Sequence, residues 1–126
     1  MKKLLIVAVV VLAGCSSLKD YIPSRWDANQ SRAVTDIQQY SRNFDCKGDV
    51  ALQSKVLAAQ VEWLDIYSST KDTRDVAKIT GLMNSTVKEL AERSSKGPVS
   101  PMYCDIKKKI LIQQADTIGH MVQGRF

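Results

Sequence analysis

The stretch Asp49-Val-Ala-Leu-Gln-Ser-Lys-Val-Leu-Ala-Ala-Gln-Val-Glu-Trp-Leu-Asp-Ile-Tyr67 decides the fold. Leu57, Val61, Leu64 and Tyr67 recur every three or four residues, the spacing that lines one face of an α-helix. Leu52, Val56, Ala59, Trp63 and Ile66 form a second stripe beside the first. So wide an apolar arc predicts a helix touched by two neighbours, which is the environment of a helical bundle. Lys47-Gly48-Asp49 supplies a stop for what precedes and a cap for this helix.

Working outward, three more helical patterns appear and no convincing strand pattern. The first runs from about Trp26 to Phe44, with Trp26, Ala33, Ile37, Tyr40 and Phe44 on one face and Ser24 as the expected N-cap. The third runs from about Asp72 to Ser94 through Val76, Ile79, Met83, Val87 and Leu90. Gly81 lies inside it, costing roughly 1 kcal/mol against Ala unless it marks a close helix contact. Ser-Ser-Lys-Gly-Pro-Val (94–99) breaks the chain. The fourth helix opens on Ser100-Pro101, a cap followed by proline at the first helical position, and continues to about Val122 through Ile106, Ile110, Leu111, Ala115 and Ile118. The expected architecture is a small all-α, antiparallel four-helix bundle of up-down-up-down topology, occupying residues 26–126 as a single domain.

Composition sets outer bounds on function. The 126 residues have room for one small domain; 44% are hydrophobic and 25% charged, as in ordinary globular chains. One His excludes a site needing two imidazoles, and three Cys exclude a Cys₄ zinc site. The length is far short of the about 250 residues that a (β/α)₈ barrel takes.

The amino-terminal segment sets the expected address. Met1-Lys2-Lys3 is basic, and the ten residues Leu4 to Ala13 carry no charge. That run is too short for a spanning helix, which takes about 20 residues, and has the form of a secretory signal. It ends Leu12-Ala13-Gly14-Cys15, followed by Ser16-Ser17. This resembles the lipobox of bacterial lipoproteins at all four positions. The resemblance covers only the leader. It implies cleavage between Gly14 and Cys15, a diacylglycerol thioether on Cys15 and acylation (commonly palmitate) of the new amino group. In enterobacterial lipoproteins an Asp after the cysteine favours inner-membrane retention, so Ser16 implies the periplasmic face of the outer membrane. One acyl chain holds only at about 10⁴ M⁻¹, whereas two or three anchor a protein durably. No other cofactor is expected.

Without Lys2 and Lys3 the chain has 16 basic and 13 acidic residues, a net charge of +3. Such a balance, without aromatic interleaving, argues against nucleic acid as a partner. Residues 15–25 form the lipidated cysteine and a tether, of which the last ten residues reach at most ~33–36 Å, so the domain is expected close to the membrane. Tyr21, Ile22 and Trp26 are candidates for the headgroup level, where aromatic rings are favoured; packing against the domain is the alternative.

With Cys15 committed to lipid, Cys46 and Cys104 remain in a compartment where disulfides persist. They are expected to be bonded. In an up-down-up-down bundle the first helix ends and the fourth begins at the same end, and those two helices are neighbours. A redox pair or an intermolecular bridge is the alternative, although redox dithiols sit two residues apart as Cys-x-x-Cys, unlike these.

No catalytic set assembles from the sequence. His120 lies late in the fourth helix, where the dipole favours a cation, and no Gly-x-Ser-x-Gly elbow exists. Glu62 with Asp65, and Glu89 with Glu92, are carboxylate pairs at one-turn spacing, a pattern solvated helix faces also show. Lys107-Lys108-Lys109 spreads round most of one helical turn. Trp63, Tyr67 and Tyr40 either line a small pocket or belong to the core. The expectation is therefore a non-catalytic, membrane-anchored lipoprotein whose helical domain faces the periplasm and binds another envelope protein. Alternatives are a phage- or prophage-encoded envelope lipoprotein (an outer spanin, or a superinfection-exclusion protein) and an enzyme inhibitor, for instance of a lysozyme. Outer spanins are often proline-rich, whereas the chain after the leader has only Pro23, Pro98 and Pro101.

Overall fold

The computed structural model describes residues 25–124. The expectations for Gly14, Cys15, Tyr21, Ile22 and Ser24 fall outside the described residues. The described residues form four helices: α1 (Ala28–Asn43), α2 (Val50–Thr70), α3 (Arg74–Ser95) and α4 (Pro101–Gln123). They close into a ring in which α1 packs on α2 and α4, and α3 packs on α2 and α4. The architecture is an up-down-up-down four-helix bundle. The α2–α3 seam is the most extensive and the α1–α2 seam the least.

Three of the four helices start where a side chain accepts their free amide hydrogens. Asp49 accepts the Leu52 N–H at 2.9 Å, and the Ser100 hydroxyl accepts the Tyr103 N–H at 3.2 Å with Pro101 behind it. Two starts differ from expectation. The first helix opens two residues after Trp26, because the Asp27 carboxylate takes the amides of Asn29 and Gln30 at 2.9 and 3.0 Å. Trp26 therefore precedes the helix, 52% exposed, and does not join its core face. The third helix opens at Arg74, not Asp72. Asp72 sits at φ 56° in the turn, and the Thr73 hydroxyl serves elsewhere, donating to the Ser68 carbonyl at 2.8 Å.

The core takes Val34 and Ile37 from α1, with Phe44 just beyond it, Leu57, Val61 and Leu64 from α2, Val76, Met83, Val87 and Leu90 from α3, and Leu111, Ala115, Ile118 and Val122 from α4. Burying a side chain of this size contributes about 1.5–3 kcal/mol. Ile106 departs from the expected core: it is exposed, because at 100° per residue it lies opposite the face that carries Cys104, Leu111 and Ala115. Gly81 meets nothing within 4 Å of where a Cβ would sit, so no helix contact requires it. Gly119 does mark a close approach, since a Cβ there meets the Gln38 side chain of α1.

Cys46 and Cys104 are bonded, their Cα atoms 5.8 Å apart. The bridge joins the residue after α1 to the first turn of α4. Near it the Lys108 ammonium donates to the Phe44 carbonyl at 2.6 Å, fixing the end of α1 on α4. Further along the same seam Asp116 accepts from Gln38 at 3.0 Å and from Arg42 at 2.5 Å.

Candidate functional site

The second stripe of α2 carries the largest departure from the sequence reading. Leu52, Val56, Trp63 and Ile66 are exposed, as is Ala59 between them. They do not lie beside the core stripe. At 100° per residue their centre is about 145–150° round the helix from that of Leu57, Val61 and Leu64. No second neighbour among the described residues covers them, because α1 and α3 flank the opposite, inward side. The result is a helix with an apolar seam on its core face and another on its solvent face.

Beside this stripe, between α1 and α2, runs a groove of about 500 Å³. Asn29, Arg32, Ala33 and Asp36 line it from α1, and Ala59, Gln60 and Trp63 from α2. Two of the lining residues, Ala33 and Ala59, are small, and the groove follows the least extensive seam of the bundle. Gln60 contributes a buried side-chain carbonyl with no hydrogen-bond partner.

One end of the groove is rigid. The Trp63 and Tyr67 rings stack with centroids 4.9 Å apart and planes 11° from parallel. The Tyr67 hydroxyl donates to the Asp27 carboxylate at 3.2 Å and accepts from Asn29 at 3.1 Å. Asp27 is held below its ordinary pKa of 3.8, first by the Gln30 amide, then by Tyr67, the Asn29 amide and the Lys71 charge, against the opposing cost of burial. Deeper in, the Gln30 amide nitrogen donates to Thr73 at 2.6 Å and to Ser68 at 3.2 Å, tying α1 to the α2–α3 turn. Trp63 is thus an exposed groove residue held in one orientation. Tyr40 packs against the core instead.

The carboxylate pairs do not converge on one another. Glu62 pairs with Lys88 across to α3 at 3.3 Å, and Asp65 accepts from the Thr80 hydroxyl at 3.0 Å. Glu89 accepts from Lys107 at 2.8 Å and from Tyr103 at 3.2 Å, and Lys107 draws its pKa below the usual glutamate value. Glu92 pairs with Lys96 one turn on, with the same direction of shift. The three lysines 107–109 diverge: Lys107 to Glu89, Lys108 to the Phe44 carbonyl, and Lys109 exposed. His120 is exposed in the last turn of α4. Among the described residues no helix is long and apolar enough to cross a membrane.

The sequence reading located the stripe and not its role, because apolar periodicity alone does not distinguish a seam filled from within from one left open. The groove itself had a weaker signal, the small alanines at 33 and 59. Comparison of the chain with protein-family models, with curated proteins and with solved structures finds no match.

Proposed function

We propose that the chain is a non-catalytic lipoprotein, anchored through Cys15 to the periplasmic face of the outer membrane, whose helical bundle binds another component of the cell envelope. The observation that carries the binding function is the outward seam of α2 with the groove beside it. Isolated apolar residues on a surface are ordinary, but a contiguous exposed stripe along a rigid helix is characteristic of a protein-docking face. A helix laid along that stripe is the standard way to cover it. Anchoring in one leaflet raises the effective concentration of the partner, so a seam of a few side chains suffices.

Two measurements test this. Mass analysis of the native chain is expected to show an amino terminus at Cys15 carrying diacylglycerol and an acyl chain; an unmodified amino terminus contradicts the anchor. A photo-crosslinking residue at Trp63 in the anchored chain is expected to capture an envelope protein, whereas one at Leu82, exposed on α3, is not. Equal yields at the two positions contradict the docking face.

A further inference from the structure

We infer that the occupant of the outward α2 seam is a second copy of this chain, with the two α2 helices packed antiparallel about a two-fold axis through Ala59. This rests on the reading of that seam as a docking face and names its partner.

The spacing of the stripe is the first support. Leu52, Val56, Ala59, Trp63 and Ile66 alternate steps of four and three, the repeat that keeps a seam on one side of a helix over about 21 Å of its length. All five are exposed. The order is also suited to pairing with itself in reverse. Ala59 meets Ala59 of the second copy, so the backbones approach closely at the axis. Val56 meets Trp63 of the second copy, and Leu52 meets Ile66. Val56 thus faces the larger Trp63, and the equal-sized Leu52 and Ile66 face each other.

Charge supplies the orientation. Lys55 and Glu62 flank the stripe on its α3 side, both exposed; Glu62 already lies 3.3 Å from Lys88 of its own chain, so Lys55 of a second copy joins that pair and does not replace it. In an antiparallel pair, positions on the same flank of the two helices meet each other. Lys55 then faces Glu62 of the second copy, and Glu62 faces Lys55, giving two reciprocal ion pairs from one sequence. A parallel pair sets each flank against the opposite flank, placing Lys55 near Gln60 and Glu62 near Tyr67, with no charge matched. On the other flank Gln60 falls beside the axis, next to its own copy. There a rotated amide provides both donor and acceptor for the carbonyl left without a partner.

The test uses the full chain in its membrane, co-produced in two versions with different tags. A photo-crosslinking residue replaces Trp63, a position that is already large. The expected product carries both tags at twice the mass of the chain. Lys55→Glu or Glu62→Lys alone sets like charges against each other twice and is expected to lower its yield about fivefold or more. The double variant K55E/E62K reverses both pairs and is expected to restore it, which a mere loss of folding does not allow. An adduct with a different protein overturns the self-pairing while leaving the docking face intact. A crosslink within one chain to the 16–24 segment, no protein adduct at all, or a double variant as poor as the single ones also overturns it.

Discussion

Asp27 combines three duties in one carboxylate: it caps α1 through two amides, holds the Tyr67 hydroxyl, and faces the Lys71 charge. Asp27→Ala is expected to cost about 1 kcal/mol at neutral pH, the usual worth of an N-cap, measured by urea unfolding. Because the folded carboxyl ionises below 3.8, its ionised form favours the folded state. That contribution is complete well above pH 3.8 and lost as the pH falls through the lowered folded value, so the difference between wild type and variant is expected to shrink there. Asn in its place keeps an acceptor and is expected to cost less. At Gly81 the sign is opposite. A Cβ meets nothing, the residue is inside a helix, and Gly81→Ala is expected to stabilise the chain by about 0.5–1 kcal/mol. A loss in thermal unfolding contradicts the open space described at that position.

The element that most needs explaining is α2. Its two seams predict opposite responses to similar substitutions. Leu64→Ala empties a core position and is expected to cost about 2–5 kcal/mol. Ile66→Ala, two residues on and 62% exposed, is expected to change the stability of the isolated chain by less than about 0.5 kcal/mol while weakening whatever covers the seam. The sequence shows both seams but not which is covered, since helical period reports spacing and not the position of neighbours. Helix ends were legible where the cap is short-range and unshared, as at Asp49 and Ser100. The starts of α1 and α3 fall two residues later than the periodicity suggests, at Ala28 and Arg74, where the outcome depends on Tyr67 and Gln30, residues remote in the chain. Gln60 as an orphan acceptor has no sequence signature; only the groove geometry reveals it.

At the scale of the whole molecule, the bundle closes on the α1–α4 seam. There the Cys46–Cys104 bond, Lys108 on the Phe44 carbonyl and the Arg42–Asp116 pair succeed one another along the helices. The disulfide closes a loop over a separation of 58 residues, and loop entropy assigns it about 4 kcal/mol, a large share of the ~5–15 kcal/mol typical of a small domain. Reduction, or Ser at both positions, is expected to lower the unfolding free energy by about that amount with the helices retained. A change below about 1 kcal/mol contradicts a structural role. The pairing was legible in advance because it follows from topology, whereas the open face of α2 depends on what lies outside the chain.

Hydroxyl-radical footprinting in intact envelopes tests the docking face most directly, because Trp63 and Met102 both react readily and lie on different helices. Both are exposed in the isolated chain, at 49% and 74%. In the envelope, Trp63 is expected to be oxidised several-fold less than in the chain extracted and diluted, while Met102 is oxidised equally in both. Unchanged oxidation of Trp63 in the envelope contradicts a covered α2 seam.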